Sequence, residues 1–251
     1  MNYFTPEDFA SLDGASATEL LNAAAFLPLR QRFLELHLRL STQFHTHNLP
    51  LQIYDSHPLR AQSVAAGLGY TPVLAVDYLR PEDKSRAVER VMGRDEFASQ
   101  RIEAERHPAI ELRLTRETFA LELVVPPSAR IDQENLVGKL RVERQRLQFF
   151  EALGRLDRGF CLGYWRGLHL SEMHLTGHYF RQPTILKEWL DTFDAGRDWL
   201  RLGLWYSPQV AELDAEFLVP TLTLRIKALY RVYEEIAWTS ANDYREFFRT
   251  A

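Results

Sequence analysis

At 251 residues, with 46% hydrophobic and 25% charged side chains, the chain has an ordinary globular composition and enough length for a sizeable core. A net charge of −4 argues against a dedicated nucleic-acid binder, and no stretch approaches the roughly 20 apolar residues that span a membrane. Cys161 is the single cysteine, so no internal disulfide can form, and the acidic opening MNYFTPEDFASLDG is unlike a secretory signal. A cytoplasmic location is the expectation.

In chain order, Thr5 reads as the N-cap of a short helix with Pro6 in its first turn. Ser16 to Glu19 has the spacing of a capping box, and Pro28 is expected to kink the run that follows. From Leu29 to Phe44, the apolar residues Leu29, Phe33, Leu36 and Leu40 repeat at helical spacing. The signal weakens over residues 45–72, where only Leu51 to Tyr54 suggests a short strand. Val73 to Val76 then predicts a strand ending near Tyr78, and Pro81 opens a helix through about Met92.

The clearest pattern lies between Pro108 and Pro127. Ile110, Leu112 and Leu114 alternate with Glu111, Arg113 and Thr115; beyond Arg116-Glu117, Phe119, Leu121, Leu123 and Val125 alternate with Ala120, Glu122 and Val124. This is the signature of a β-hairpin with one buried face. With Arg116-Glu117 as the loop, Leu114 falls opposite Phe119, Leu112 opposite Leu121 and Ile110 opposite Leu123. A slip of one residue would send Glu122 into the core. On the other face the same register sets Glu111 opposite Glu122, with Arg113 one step diagonal.

After the hairpin, Asp132 is expected to cap a helix running to about Leu153, with Leu136, Leu140, Leu147 and Phe150 as its buried stripe. Residues 160–166 read as a strand, Thr184 to Ala195 as a helix stopped by Gly196, and residues 199–206 as a second strand. Ser207-Pro208 is expected to cap a further helix that Pro220 restarts. Leu222, Ile226, Leu229, Tyr233 and Ile236 mark a packed terminal helix, and Ser240 to Asp243 suggests a last short one. Together these predict one α+β domain over residues 1–251, with a largely antiparallel sheet of about four to six strands. Residues 1–48 form a helical N-terminal segment, 73–206 a sheet-containing core and 207–251 a helical C-terminal segment.

The opening Phe4-Thr5 with Asp8-Phe9, and the later order of histidine-proline, strand pair, helix, strand, polar loop, helix and strand, resemble the YktB-like uncharacterised bacterial proteins. The resemblance implies a compact α+β fold and no established activity.

Three groups of residues could carry chemistry. In HLSEMHLTGHYF, His169, Glu172, His174 and His178 offer nitrogen and oxygen ligands; a histidine pair four apart shares one face if the segment is helical, and a divalent metal such as zinc could then bind. Ordinary hydrogen-bonded loop histidines are the competing reading, and His45 and His47 could add ligands from elsewhere. The facing Glu111 and Glu122 invite an acid/base or metal reading, which Glu172 and Asp77 could join; against it stands a solvated pair bridged by Arg113 and worth about 0.2–1 kcal/mol. Lys139, Arg141, Arg144 and Arg146 could bind phosphate or simply solvate a helix flank.

The repeated Leu-Gly-aromatic-Trp of residues 162–165 and 202–205 places a glycine beside a tryptophan in both strands, which implies either aromatic cover of the glycine or a cavity wall. With Tyr179, the residues Tyr164, Trp165 and Trp205 are the candidate ligand-binding aromatics. Phosphate-loop, paired-cysteine and nucleophile-elbow motifs are all missing. The leading expectation is therefore a cytoplasmic binding or interaction protein that needs no cofactor, with an unidentified protein or small-molecule partner. The alternative is a metal-dependent hydrolase, phosphodiesterase- or nuclease-like, using residues 169–178.

Overall fold

The computed structural model describes residues 3–249, apart from 56, 67–68, 93–101, 169, 171–173 and 211–213. Its helices are α1 (Pro6–Ser11), α2 (Ala17–Asn22), α3 (Leu27–Thr46), α4 (Glu82–Val91), α5 (Arg130–Leu140), α6 (Glu143–Gly154), α7 (Pro183–Leu190), α8 (Leu218–Ile236) and α9 (Tyr244–Arg249). Its strands are β1 (Arg60–Ala66), β2 (Gly69–Tyr78), β3 (Ala109–Leu114), β4 (Phe119–Val125), β5 (Cys161–Tyr164), β6 (His174–Thr176) and β7 (Leu200–Tyr206). Among the described residues they form one seven-stranded sheet in the order β1-β2-β3-β4-β7-β5-β6, with each neighbouring pair antiparallel. The fold is α+β, as expected, with more strands than the expected four to six. The additions are β1, whose sequence RAQSVAA has no apolar alternation, and β6, a three-residue strand within the segment read as loop.

The hairpin register is as expected: Leu114 faces Phe119, Leu112 faces Leu121, Ile110 faces Leu123 and Glu111 faces Glu122. Thr115 and Thr118 close the turn around Arg116-Glu117, the Thr115 amide donating to the Thr118 carbonyl at 2.9 Å. The first face of the sheet carries Leu74, Val76 and Tyr78, the hairpin leucines, and Leu200 and Leu202, all buried. Helix α8 packs on this face at β3 and β4, and α3, α5 and α6 pack against α8. One apolar core thus joins residues from Tyr3 to Ala237.

Both expected N-terminal caps form as capping boxes, at Thr5 with Asp8 and at Ser16 with Glu19. Pro28 lies in the first turn of α3, where its missing amide is harmless; it starts that helix and does not kink it. Gly196 has the left-handed φ of +88° expected of a stop, although the regular part of α7 ends earlier, at Leu190. The short strand expected at residues 51–54 is reduced to one bridge between Gln52 and Leu79. Ser207-Pro208 leads into a turn, while Asp214 accepts from the Glu216 amide just ahead of α8.

The helix expected from Asp132 to Leu153 is two helices, broken at Arg141-Val142, and Leu147 is 56% exposed where burial was expected. Asp132 is no cap. It sits inside α5, fully buried, with Oδ2 2.6 Å from Arg80 Nη2 and Oδ1 accepting from the Trp238 amide at 2.7 Å. The same helix buries Gln133, Asn135 and Lys139. Gln133 donates to the carbonyls of Val125, Pro126 and Asp198 and accepts from the Gly196 amide. Asn135 donates to the Ile236 carbonyl and accepts from the Tyr244 amide. Lys139 Nζ donates to Glu235 and Asn242 at 2.7 and 2.9 Å.

Helix α5 is therefore buried through polar side chains that satisfy the backbone of other segments, which a hydrophobic stripe cannot reveal. Removing one partner of a buried ion pair leaves the other charge uncompensated. Asp132→Ala is expected to lose about 3–5 kcal/mol of stability in urea unfolding, by the usual cost of breaking such a pair. A loss under about 1 kcal/mol would show that Arg80 finds another partner.

Candidate functional site: a charged sheet face under a tryptophan strap

The second face of the sheet is where the charged strand residues meet. Asp77, Glu111, Glu122 and Gly203 lie in one cross-strand row, since Asp77 faces Glu111, Glu111 faces Glu122 and Glu122 faces Gly203. Arg113 and Arg201 stand in the flanking rows, opposite Ala120 and Val124, and Arg60 projects from β1 opposite Ala75. This alternation of rows puts each carboxylate between guanidiniums. Arg60 Nε and Nη2 grip the Asp77 carboxylate at 2.7 and 3.1 Å, and the same Nη2 donates to Glu111 at 2.7 Å. Arg113 Nη1 lies 2.8 Å from Glu111 and 2.9 Å from Glu122. Arg201 Nη1 completes the ladder at 2.6 Å from Glu122.

A solvated pair bridged by Arg113 was one expectation for this face. Arg113 does bridge Glu111 and Glu122, but the arrangement is buried: Glu122 is 0% exposed, Arg113 2%, and Glu111 and Arg201 6% each. The cover comes from the chain leaving β5. Trp165 packs against Trp205 with ring centroids 5.6 Å apart, and Gly167 takes a φ of +100°, which a β-carbon would disfavour. Leu168 then packs with Val73 and Ala75 of β2, and its carbonyl accepts from Arg113 Nη2 at 3.4 Å. Residues 165–168 thus form a strap over the charged face.

Gly203 explains why a glycine sits in this strand. A β-carbon there would come within 2.7 Å of Glu122 Cγ and 2.9 Å of the Trp205 ring. The indole therefore covers the glycine, the first of the two readings of the Leu-Gly-aromatic-Trp pattern.

The candidate aromatics do not converge. Trp165 and Trp205 lie on the charged face, whereas Tyr164 stacks on Trp189 at 3.9 Å and donates to the Trp189 carbonyl. Tyr179 is 49% exposed beside His178. The sequence-predicted metal set is likewise dispersed. His174 lies on β6 and His178 in the turn beyond it, so the two share no helix face, and His169 and Glu172 fall outside the described residues. Among the described residues, no group of three or more His, Cys, Asp and Glu side chains could hold a metal ion. His45 Nδ1 hydrogen-bonds the Ser41 carbonyl, one turn back on α3.

The basic helix flank also divides. Lys139 is buried against Glu235, while Arg141 and Arg144 are exposed and Arg146 donates to the Leu140 carbonyl. Against the first face, a void of about 10 Å³ lined by Leu123, Phe149, Leu162 and Ile236 is too small and too apolar for a ligand.

Sequence reasoning found Glu111, Glu122, Arg113 and Asp77 but missed Arg60 and Arg201 as members of the same ladder. Residue parity was the available signal, because Arg201, Gly203 and Trp205 are even-spaced on one face of their strand. Arg201 Cζ also lies 5.4 Å from the centroid of the Trp199 ring. The Glu111 carboxyl is pulled in two directions: burial raises its pKa, but the Arg113 and Arg60 guanidiniums outweigh burial and bring it to about 2. It is a weak general base at neutral pH.

Several polar atoms of this face have no hydrogen-bond partner among the described residues: Glu122 Oε1, Arg113 Nε, Arg201 Nε, and Nε1 of Trp165 and Trp205. Buried groups of this kind are few in native proteins and call for a partner. The described helices include none long and apolar enough to cross a membrane. The structure so defines an α+β protein with a strapped, charged sheet face. No protein-family model and no curated protein matches the chain.

Burial changes the energetics expected for Arg113. Arg113→Ala leaves two carboxylates facing each other out of water, so the cost rises from the 0.2–1 kcal/mol of an exposed pair to about 3–5 kcal/mol. Unlike a surface pair, it should hardly change between 0.1 and 1 M salt, which urea unfolding at both concentrations will check.

Glu111 gives a pH signature. Its folded pKa is depressed below the unfolded value, so its contribution is full above the ordinary glutamate range and is lost as pH falls toward 2. Wild type should lose on the order of 2–3 kcal/mol more than Glu111→Gln between pH 5 and pH 2.5. Parallel pH profiles for the two proteins would contradict this.

Proposed function

We propose that this chain is a cytoplasmic binding protein without catalytic machinery, and that its site is the charged sheet face beneath Trp165-Leu168. One observation carries the reading. Five buried polar atoms in this one region have no partner among the described residues, although the groups around them are paired throughout the ladder. Leaving a buried polar group unmade costs roughly 1–3 kcal/mol each, so a fold that keeps several together gains by offering them to a ligand. A small molecule suits this face better than a protein, because Glu122, Arg113 and Trp165 are each less than 5% exposed. The single cysteine supports the cytoplasmic location.

Tryptophan emission tests the proposal directly, since two of the five tryptophans flank the site. A ligand seated there should change the emission and raise the melting temperature, as any molecule that binds only the folded state must. In Trp165→Phe the emission response should shrink while the melting curve without ligand stays cooperative. If a broad panel of charged, zwitterionic and neutral metabolites leaves emission and melting temperature unchanged, the binding reading fails.

A further inference from the structure

Building on the binding reading, we infer that the ligand is a small monocarboxylic acid carrying a hydrogen-bond donor next to its carboxylate, that is, an amino or hydroxy acid. Net charge does not choose the ligand, because the ladder is balanced: Asp77, Glu111 and Glu122 against Arg60, Arg113 and Arg201. The unpaired atoms do choose. Four are N–H donors, on Arg113, Arg201, Trp165 and Trp205, and one, Glu122 Oε1, is an acceptor. Such a surplus of donors selects an acceptor-rich group, and a guanidinium N–H with indole N–H groups is a donor set that suits carboxylate oxygens.

The lone acceptor adds a second requirement. Glu122 Oε2 is taken by Arg201 and Arg113, whereas Oε1 has no donor among the described residues and would accept from an ammonium or hydroxyl on the same ligand.

Charge still limits the anion. Because the three acids and three arginines already balance, a carboxylate brings one uncompensated charge into the site, and a phosphate monoester, with roughly −1.5 to −2 at neutral pH, brings about twice that. The strap limits size, since Trp165 is 4% exposed and Leu168 6%. It is held by the Trp165–Trp205 ring contact, by Leu168 against Val73 and Ala75, and by the Arg113 hydrogen bond to the Leu168 carbonyl at 3.4 Å.

The full chain is titrated with glycine, lactate, acetate, methylammonium, acetamide and inorganic phosphate, following tryptophan emission and melting temperature. Glycine or lactate should bind at least tenfold tighter than acetate, and the others more weakly still. Arg201→Lys keeps the positive charge but removes Nε, and Trp165→Phe keeps packing but removes the indole N–H. Each should weaken glycine or lactate binding tenfold or more. Should Arg201→Lys fail to fold, Trp165→Phe alone decides the donor assignment. If phosphate, methylammonium or acetamide binds this face while no carboxylate does, the ligand class is wrong and the binding reading stands. If none of these probes perturbs the protein, the ligand class is wrong, and the binding reading falls with it only when the broad metabolite panel is silent too.

Discussion

The register of the central hairpin is the constraint on which the rest of the sheet depends. With Ile110 against Leu123 and Glu111 against Glu122, every large apolar side chain of β3 and β4 enters the helix-covered core and both glutamates leave it. Because strand side chains alternate with a strict period of two, a slip of one residue on β4 would drive Glu122 under α8. The second face inherits the charges, and the strap removes most of them from water. Charges out of water persist only when paired, so the row of acids between two rows of arginines is a condition for that face to close. Each arginine that bridges two strands also opposes a slip, since its partners stand on neighbouring strands at one height.

Helix α5 plays the matching part at one end of the core. Four of its buried residues are polar, and each engages backbone or charge from a distant segment: Asp132 at Arg80 and Trp238, Gln133 at the ends of β4 and the approach to β7, Asn135 and Lys139 at the C-terminal stretch. Chain ends and loop carbonyls cannot be buried against leucine without leaving hydrogen bonds unmade. Polar side chains at successive helical turns solve this, and they couple the C-terminal segment to the Arg80 ion pair.

What the sequence disclosed and what it hid divide along that line. Features set by neighbours in the chain were legible: the hairpin and its register, the capping boxes at Thr5 and Ser16, the left-handed Gly196, the stripe of α8. Features set by distant contacts were not. Strand β1 has no alternation to detect, because it is an edge paired only to β2. Asp132 has the residue type of a cap, and only Arg80, far away in sequence, shows that it is buried instead. The glutamates were found, but a polar strand face reads as solvent-exposed unless something covers it. That cover is four residues beyond β5. Tryptophans at 165 and 205, on the polar side by parity, were the one local sign that this face is not wet.

The two faces of the sheet therefore differ in kind as well as in polarity. The helix side is an apolar core, and its energy comes from burial that any well-fitting leucine could supply. The charged side gains little net stability from its ion pairs, because desolvation offsets most of their attraction. Apolar residues of similar volume would serve folding as well or better. A chain selected for stability alone would then have no reason to keep on one face three arginines, three acids and two indoles whose N–H groups have no partner among the described residues. Held by a sheet and covered by a strap with a glycine turn, those groups are already oriented for the ligand proposed above, which would keep the ordering cost of binding small. This is why the proposal rests on the charged face and not on the core.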